Sequence, residues 1–296
     1  MSYQQKITRK TPALIVLLLD VSNSMNNLWG SSGKTLAEGA SYAVNRTIRD
    51  ILINACVPNT EIMNYVNLAV YAYGTGSDNK SVVWNLGSTS EPSEGFANAK
   101  DWAHAHHRMK EINLGVLADD SSLAKSEKLP IWVETQAIGW TPMCKALNKA
   151  AQVVKNHIST VSEDWSGNES FPPIVINITD GIPTDHANDW NVFKKAASGI
   201  TDQATSDGNA LLFNIHLDSS GDSNRILFPD FTPDHSIYAK ELAEITSILP
   251  AEMARRGRNE LGFEIPENAK GYCLNADFES LVAFLRIGTT VAVYDE

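Results

Sequence analysis

The sequence predicts an α/β protein with a doubly wound, mostly parallel central sheet, helices on both faces and one antiparallel edge strand. Three observations carry this. Two runs, Leu14–Leu19 and Ile174–Ile178, are apolar at nearly every position, as strands buried on both faces are. Stretches with apolar residues at three- and four-residue spacing separate the strands, the order of a βαβ series. The gap between the strands expected at 67–73 and 81–86 is too short for a helical crossover and permits only antiparallel pairing.

The elements follow in order. Residues 1–12 are polar and read as an arm before a first strand over 13–20. Residues 26–33 form a loop. A helix over 34–55 places Ala37, Ala40, Val44, Ile48, Ile51 and Leu52 on one stripe and stops at Pro58. Turn chemistry at 74–79 joins the second and third strands. Residues 87–130 are the least regular part: Ser, Glu, Gly and Pro open them, and Asp119-Asp120-Ser121-Ser122 lies inside. Ile131–Val133 fits a short strand. A helix from Thr141 to Ile158 turns Ala146, Leu147, Ala150, Val153 and Val154 inward. After a polar linker at 162–173, a strand at 174–179 opens a second series: helix 190–206, strand 211–217, helix 237–256, strand 271–275 and helix 278–286. Pro250 should kink or end the penultimate helix. No internal repeat and no second-domain boundary is visible, so the reading is a single domain over 1–296 with an irregular insertion at 87–130.

The chain has 296 residues and a formal net charge of −11, which opposes general binding to a phosphate backbone. Lys6, Arg9 and Lys10 precede the apolar run Ala13–Leu19, a faint imitation of a secretory signal. The run ends in Asp20 without a small-residue cleavage site, so a buried first strand is the better reading. No stretch approaches the length of a membrane span. Cys56, Cys144 and Cys273 are odd in number and scattered. This argues against a disulfide framework and fits a cytoplasmic protein with three free thiols.

Chemistry concentrates where the first strand ends. Asp20-Val21-Ser22-Asn23-Ser24 sets three side-chain oxygens on one short loop, and hard divalent cations take oxygen ligands. In open α/β sheets such a loop falls at the carboxyl edge, where ligands bind. Read alone, Asp20 opens a turn and the serines cap the next helix. Thr141, in Gly139-Trp140-Thr141-Pro142, likewise reads as the N-cap of its helix with Pro142 in the first turn. Asp180 ends the second apolar strand and precedes Gly181-Ile182-Pro183-Thr184-Asp185. His104, His106 and His107 lie close together, but no nearby Cys or further His completes a zinc set, and a solvated helix surface is the simpler reading. Arg255, Arg256 and Arg258 read as a solvated helix end.

Taken together, the three segments resemble a von Willebrand factor A (vWA) domain with its metal-ion-dependent adhesion site (MIDAS). The resemblance covers most of the chain. It implies a metal site at Asp20, Ser22, Ser24, Thr141 and Asp180, holding Mg²⁺ or Mn²⁺. The serines and the threonine would meet the metal, and the aspartates would act directly or through water. Asp20-Val21-Ser22-Asn23-Ser24-Met25 with Thr179-Asp180-Gly181-Ile182-Pro183-Thr184-Asp185 is similar to the bacterial branch associated with tellurite resistance and stress response. The chain departs from that branch in its 87–130 insertion, and in Asn23 and Trp140 where small residues are common.

The implied function is a metal-dependent protein-interaction module that binds a partner's Asp or Glu carboxylate, an adaptor in stress response or phosphorylation signalling with a protein kinase or phosphatase as partner. The alternatives are an accessory subunit of an AAA+ ATPase and a metal-assisted hydrolase or phosphatase built on Asp20 and Asp180. The enzyme reading lacks support in the residues: no second aspartate follows Asp20, and no phosphate-binding loop of the Gly-x-x-x-x-Gly-Lys type occurs. The expectation is therefore a binding protein with no catalytic residues.

Overall fold

The structure, a computed structural model, describes residues 3–30, 33–55, 61–74, 81–84, 90–113, 126–217 and 225–289. Strand β1 (Ala13–Asp20) is buried along its whole length. Ile15, Leu17 and Leu19 enter one core layer and Leu14, Val16 and Leu18 the other, as side-chain alternation in a two-faced strand requires. Helix α1 (Leu36–Asp50) starts at a capping box. The Thr35 hydroxyl accepts from the Glu38 amide, and the Glu38 carboxylate accepts from the Thr35 amide. Its expected apolar stripe is buried throughout, and a π-helical turn, Ile51–Ala55, extends it. Pro58 lies outside the described residues.

Strand β2 (Val66–Tyr73) runs parallel to β1, with Tyr73 opposite Asp20. Strand β3 (Val82–Trp84) returns antiparallel, as the short gap demands. Residues 75–79 of the intervening turn are outside the described set.

The 87–130 stretch is more regular than its composition suggests. It holds β4 (Ala97–Asn98) against β2, helix α2 (Ala99–His104), and an antiparallel pair β5 (Arg108–Asn113) and β6 (Ser126–Ile131). The order comes from contacts outside the stretch. Trp102 is fully buried and donates its indole N–H to the Leu68 carbonyl. Asn45 of α1 accepts from the Trp132 and Val133 amides and donates to the Val133 carbonyl, which fixes the chain leaving β6. The pair Asp119-Asp120 lies outside the described residues, and the strand expected at 131–133 ends at Ile131. His104 Nδ1 bonds the Lys100 carbonyl and His106 lies against Trp132, with no metal grouping among them.

Helix α3 (Met143–Ser159), β7 (Ile174–Thr179), α4 (Trp190–Thr201), β10 (Leu211–His216), α5 (Ile237–Glu244), α6 (Ala251–Leu261), β12 (Tyr272–Leu274) and α7 (Phe278–Thr289) complete the series. The helix expected over 190–206 ends at Thr201, and a small hairpin of β8 (Ala204–Thr205) and β9 (Gly208–Asn209) takes up the rest. The helix expected over 237–256 is two: α5 ends at Glu244, and Pro250, which has no N–H to donate, caps the start of α6. The sheet order is β11-β12-β10-β7-β1-β2-β3, where β11 (Ile226–Leu227) adds a second antiparallel contact at the far edge. Apolar residues of α1, α6 and α7 cover one face, and those of α3, α4 and α5 the other. This is the doubly wound α/β architecture expected, consistent with a vWA-like fold. Arg255 and Arg256 pair with Glu252 and Glu260 on the exposed side of α6. No helix among the described residues is long and apolar enough to cross a membrane.

Candidate metal centre

The two central strands, β1 and β7, are adjacent and parallel, so their carboxyl ends bring Asp20 and Asp180 to the same edge. Asp20 is fully buried. Its Oδ1 accepts from the Ser22 amide at 2.8 Å and its Oδ2 from the Thr179 hydroxyl at 2.6 Å. Burial, and then the charge of Asp180, push the Asp20 carboxyl up to about 7, against the opposing pull of these hydrogen bonds. Its hydrogen-bond donors are neutral, so the charge is solvated by dipoles alone.

The serine hydroxyls bridge the two aspartates. Ser24 Oγ donates to Asp180 Oδ1 at 2.9 Å, Ser22 Oγ lies 3.1 Å from Ser24 Oγ, and the Ser22 side chain is also a hydrogen-bond partner of Asp20. Each hydroxyl thus has an acceptor for its proton within reach and keeps lone pairs for a cation.

Gly181 shows where these groups converge. A Cβ placed there would stand 3.3 Å from Thr141 Oγ1, 3.7 Å from Asp20 Oδ2 and 3.7 Å from Ser24 Oγ. One point in space therefore has oxygens from two separate loops around it, with Gly181 on a third, and the missing side chain leaves that space clear. The structure thus brings all five sequence-predicted residues together. Among the described residues no three His, Cys, Asp or Glu gather as a metal-binding group. The donor set here has only two carboxylates and depends on hydroxyls, which suits a hard divalent cation and not a soft one.

The helix-cap expectation for Thr141 does not hold. Helix α3 begins at Met143 with Pro142 before it, and no side chain of the capping residue bonds the helix. Asp185 takes that role: its two carboxylate oxygens accept from the Cys144 and Lys145 amides at 3.0 and 2.9 Å. The Thr141 hydroxyl is released to face Gly181. Thr184 holds the Thr141 backbone in place from both sides, through Thr141 N to Thr184 Oγ1 at 3.1 Å and Thr184 N to Thr141 O at 2.9 Å. Thr179, Thr184 and Asp185 are positioning residues that the sequence reading quoted without a role. The signal was their place in the segment after the second central strand.

Asn23 also has a function that a glycine would lack. Its amide donates to the Gly139 carbonyl and its Oδ1 accepts from the Gly139 amide, each at 3.0 Å. These bonds tie the serine loop to the segment carrying Thr141. Trp140, the other departure, is 69% exposed. Leu28, Ile138 and Ile182, on the same three segments, are exposed as well.

No family model matches the chain, and no curated protein matches it. Solved structures do. One is the pilus adhesin SpaC from Lactobacillus rhamnosus GG, 14% identical, with 96% of this chain and 31% of that one covered at a TM-score of 0.47. Another is the PilB minor pilin from Streptococcus sanguinis, 12% identical, covering 94% and 60% at a TM-score of 0.45. A third is proximal thread matrix protein 1 from the mussel byssus with a zinc-occupied MIDAS motif, 13% identical, covering 95% and 48% at a TM-score of 0.41. This chain spans less than two thirds of each of those proteins. Likeness at these values carries no functional argument, and the reading below rests on the site itself.

Proposed function

We propose that Asp20, Ser22, Ser24, Thr141 and Asp180 hold one divalent cation, Mg²⁺ or Mn²⁺, and that the chain is a metal-dependent protein-interaction module. The observation that carries this is the oxygen-lined space at Gly181, bordered by Thr141 Oγ1, Asp20 Oδ2 and Ser24 Oγ. A bound cation would supply positive charge to an incoming carboxylate. The protein's own groups do the rest. Asp20, held by Ser22 and Thr179, supplies a fixed buried negative charge. Ser24 directs its proton to Asp180, and both serines present lone pairs. Thr141 is delivered by a backbone that Thr184 clamps. Three neutral hydroxyls add no charge to the two carboxylates, and a six-coordinate cation held by these groups would have room for a carboxylate oxygen from a partner's Asp or Glu.

The support for binding over turnover is that the three atoms nearest a Cβ at Gly181 come from Thr141, Asp20 and Ser24, none of them a His, Lys or Arg. The finer reading is an adaptor in bacterial stress response or phosphorylation signalling, in the cytoplasm, with a kinase or phosphatase as partner. Its support is the sequence resemblance alone.

Calorimetric titration of MgCl₂ and MnCl₂ into the wild type and Gly181→Ala tests the site. Gly181 has no left-handed backbone requirement, and the nearest contact of the added methyl is 3.3 Å from a hydroxyl, so the variant keeps its fold while the space is filled. Loss of metal affinity in Gly181→Ala is expected. Equal affinity would remove the site, and metal-dependent phosphate release by the wild type would replace the binding reading with an enzymatic one.

A further inference from the structure

We propose that the metal centre takes a partner segment in which a single acidic residue is flanked by large apolar side chains, and that Trp140 and Ile182 bind those flanking residues. This rests on the metal-binding reading above and adds to it the chemistry of the partner. Twelve large apolar side chains are exposed among the described residues. Four of them, Leu28, Ile138, Trp140 and Ile182, lie on the three short segments that carry the site. Single exposed apolar residues are ordinary, whereas a group of them in one place marks an interaction surface.

The backbone holds these side chains in place. Trp140 is 69% exposed although both its neighbours are fixed. Gly139 is bonded to Asn23 through its amide and its carbonyl, and Thr141 to Thr184 in the same way. The Ile138 amide donates to the Val21 carbonyl. Trp140 precedes Thr141 and Ile182 follows Gly181, and consecutive Cα atoms are about 3.8 Å apart. A Cβ on Gly181 would stand 3.3 Å from Thr141 Oγ1, so both exposed side chains start one residue away from the oxygen-lined space. Asp20, Ser22 and Thr141 are buried, while Ser24, Asp180 and Gly181 are partly exposed. The site therefore opens past Ser24, Asp180 and Gly181, next to Ile182.

Charge narrows the occupant. Residues 21–29, 136–143 and 181–184 contain no Asp, Glu, Lys, Arg or His, so the flanks of the site are uncharged. A polyacidic segment would place one carboxylate on the cation and find no counter-charge there for the others, against a chain whose net charge is −11. A basic segment would bring nothing for the cation. One carboxylate with apolar neighbours matches both parts, the acid for the cation and the apolar surface for Trp140 and Ile182. In an extended segment the residues one and two positions from the acid lie about 3.3 and 7 Å along the chain. Side chains rooted one residue from the site can meet them.

The test uses the full chain, isotope-labelled, and capped peptides with Gly at each end of a central Leu-Glu-Phe, Ser-Glu-Ser, Glu-Glu-Glu or Leu-Gln-Phe. In MgCl₂ the Leu-Glu-Phe peptide should give saturable shifts of the Trp140 indole and Gly181 amide resonances. Ser-Glu-Ser and Glu-Glu-Glu should bind at least tenfold more weakly, and Leu-Gln-Phe, or Leu-Glu-Phe in EDTA, should not bind. Trp140→Ser should lower the Leu-Glu-Phe affinity roughly tenfold, the factor that burying about 60 Å² of apolar surface supplies, with Mg²⁺ affinity unchanged in calorimetry. Ile182→Ser should weaken it as well, and Trp140→Phe should retain most of it. If the wild type binds no Mg²⁺, the metal-centre reading falls and this one with it. If Mg²⁺ binds, the inference alone is overturned when Leu-Glu-Phe binds no tighter than Ser-Glu-Ser, survives EDTA, or ignores both serine variants. Metal-dependent self-association that is lost in Trp140→Ser would also overturn it, by making a second copy of the chain the occupant.

Discussion

The metal centre stores electrostatic repulsion that one substitution should release. Asp20 is fully buried, its carboxyl is pushed up to about 7 from an ordinary 3.8, and burial and Asp180 are the causes. Because the folded value is raised, the native state holds this proton more tightly than the unfolded chain between pH 3.8 and about 7. Stability from this group is therefore complete below pH 3.8 and is lost as pH rises through about 7. The gap corresponds to roughly 4 kcal/mol when fully developed, an upper bound because the pair can relax or admit water. Asp20→Asn removes the charge and keeps the oxygen that accepts from the Ser22 amide. In EDTA at pH 8 the variant should melt several degrees above wild type, and at pH 4 the two should coincide. Saturating Mg²⁺ should narrow the gap at pH 8, because metal at about a hundredfold over its dissociation constant adds about 2.7 kcal/mol to the wild type and nothing to the variant. Differential scanning calorimetry at the two pH values, with and without metal, reads all of this. A variant less stable than wild type in EDTA at pH 8 would refute the account of a repulsive apo site.

Other expectations follow from the same geometry. Asp185→Ala should cost on the order of 1–2 kcal/mol by denaturant unfolding through two lost bonds at the start of α3, while Thr141→Ala should lose metal affinity in calorimetry at little cost in stability. His157 is buried against Phe96 and Trp165, and burial holds it down to about 3, with only a smaller opposing pull from the Pro12 carbonyl. The unfolded chain takes up the proton below about 6.5 and the native one does not, so the contribution of His157 should fall by about 1.4 kcal/mol per pH unit below 6.5 while that of Asp20 rises; urea titrations of wild type and His157→Phe at pH 7 and pH 4.5 check it, and the variant should gain on wild type as pH falls. Cys144 and Cys273 are free and buried, and the cytoplasmic reading expects Cys56, outside the described residues, to be a thiol too; a count below three under denaturing, non-reducing conditions would contradict it.

Much of the site could be read in the chain because its residues sit where strands end. An apolar run that stops at Asp20 or at Asp180 marks a carboxyl edge, and edges of adjacent strands meet. What could not be read was long-range partnership. Thr141 followed by Pro142 has the local chemistry of a cap, yet Asp185 on another segment occupies the helix end first. The order of residues 97–131 depends on Leu68, which holds Trp102, and on Asn45, which holds the chain leaving β6, and no local pattern reveals either. The helix after Trp190 was read too long because propensity continues beyond Thr201, while the chain folds back at Gly208, whose φ of 146° no other residue adopts easily.

The polar groups beneath the site also have a direction, and that direction assigns the Tyr73 proton to a partner other than Asp20. The Tyr73 hydroxyl is close enough for Asp20 to raise its pKa, after burial, yet it donates to Asn177 Oδ1 at 2.7 Å. Asn177 Nδ2 donates on to Asn214 Oδ1, Asn214 Nδ2 to Thr246 Oγ1, and Thr246 to the Leu242 carbonyl. Each link fixes the next, since an amide nitrogen can only donate and a carbonyl can only accept. The series runs across the sheet from β2 to the end of α5 and draws the tyrosine proton away from the carboxylate. Turning Tyr73 toward Asp20 would leave the buried Asn177 oxygen without this donor, a cost of about 1–3 kcal/mol. The fold thus holds the tyrosine proton on Asn177, and the hydrogen bonds to Asp20 come from Ser22 and Thr179. A further donor would be one more hydrogen bond to displace when an ion arrives.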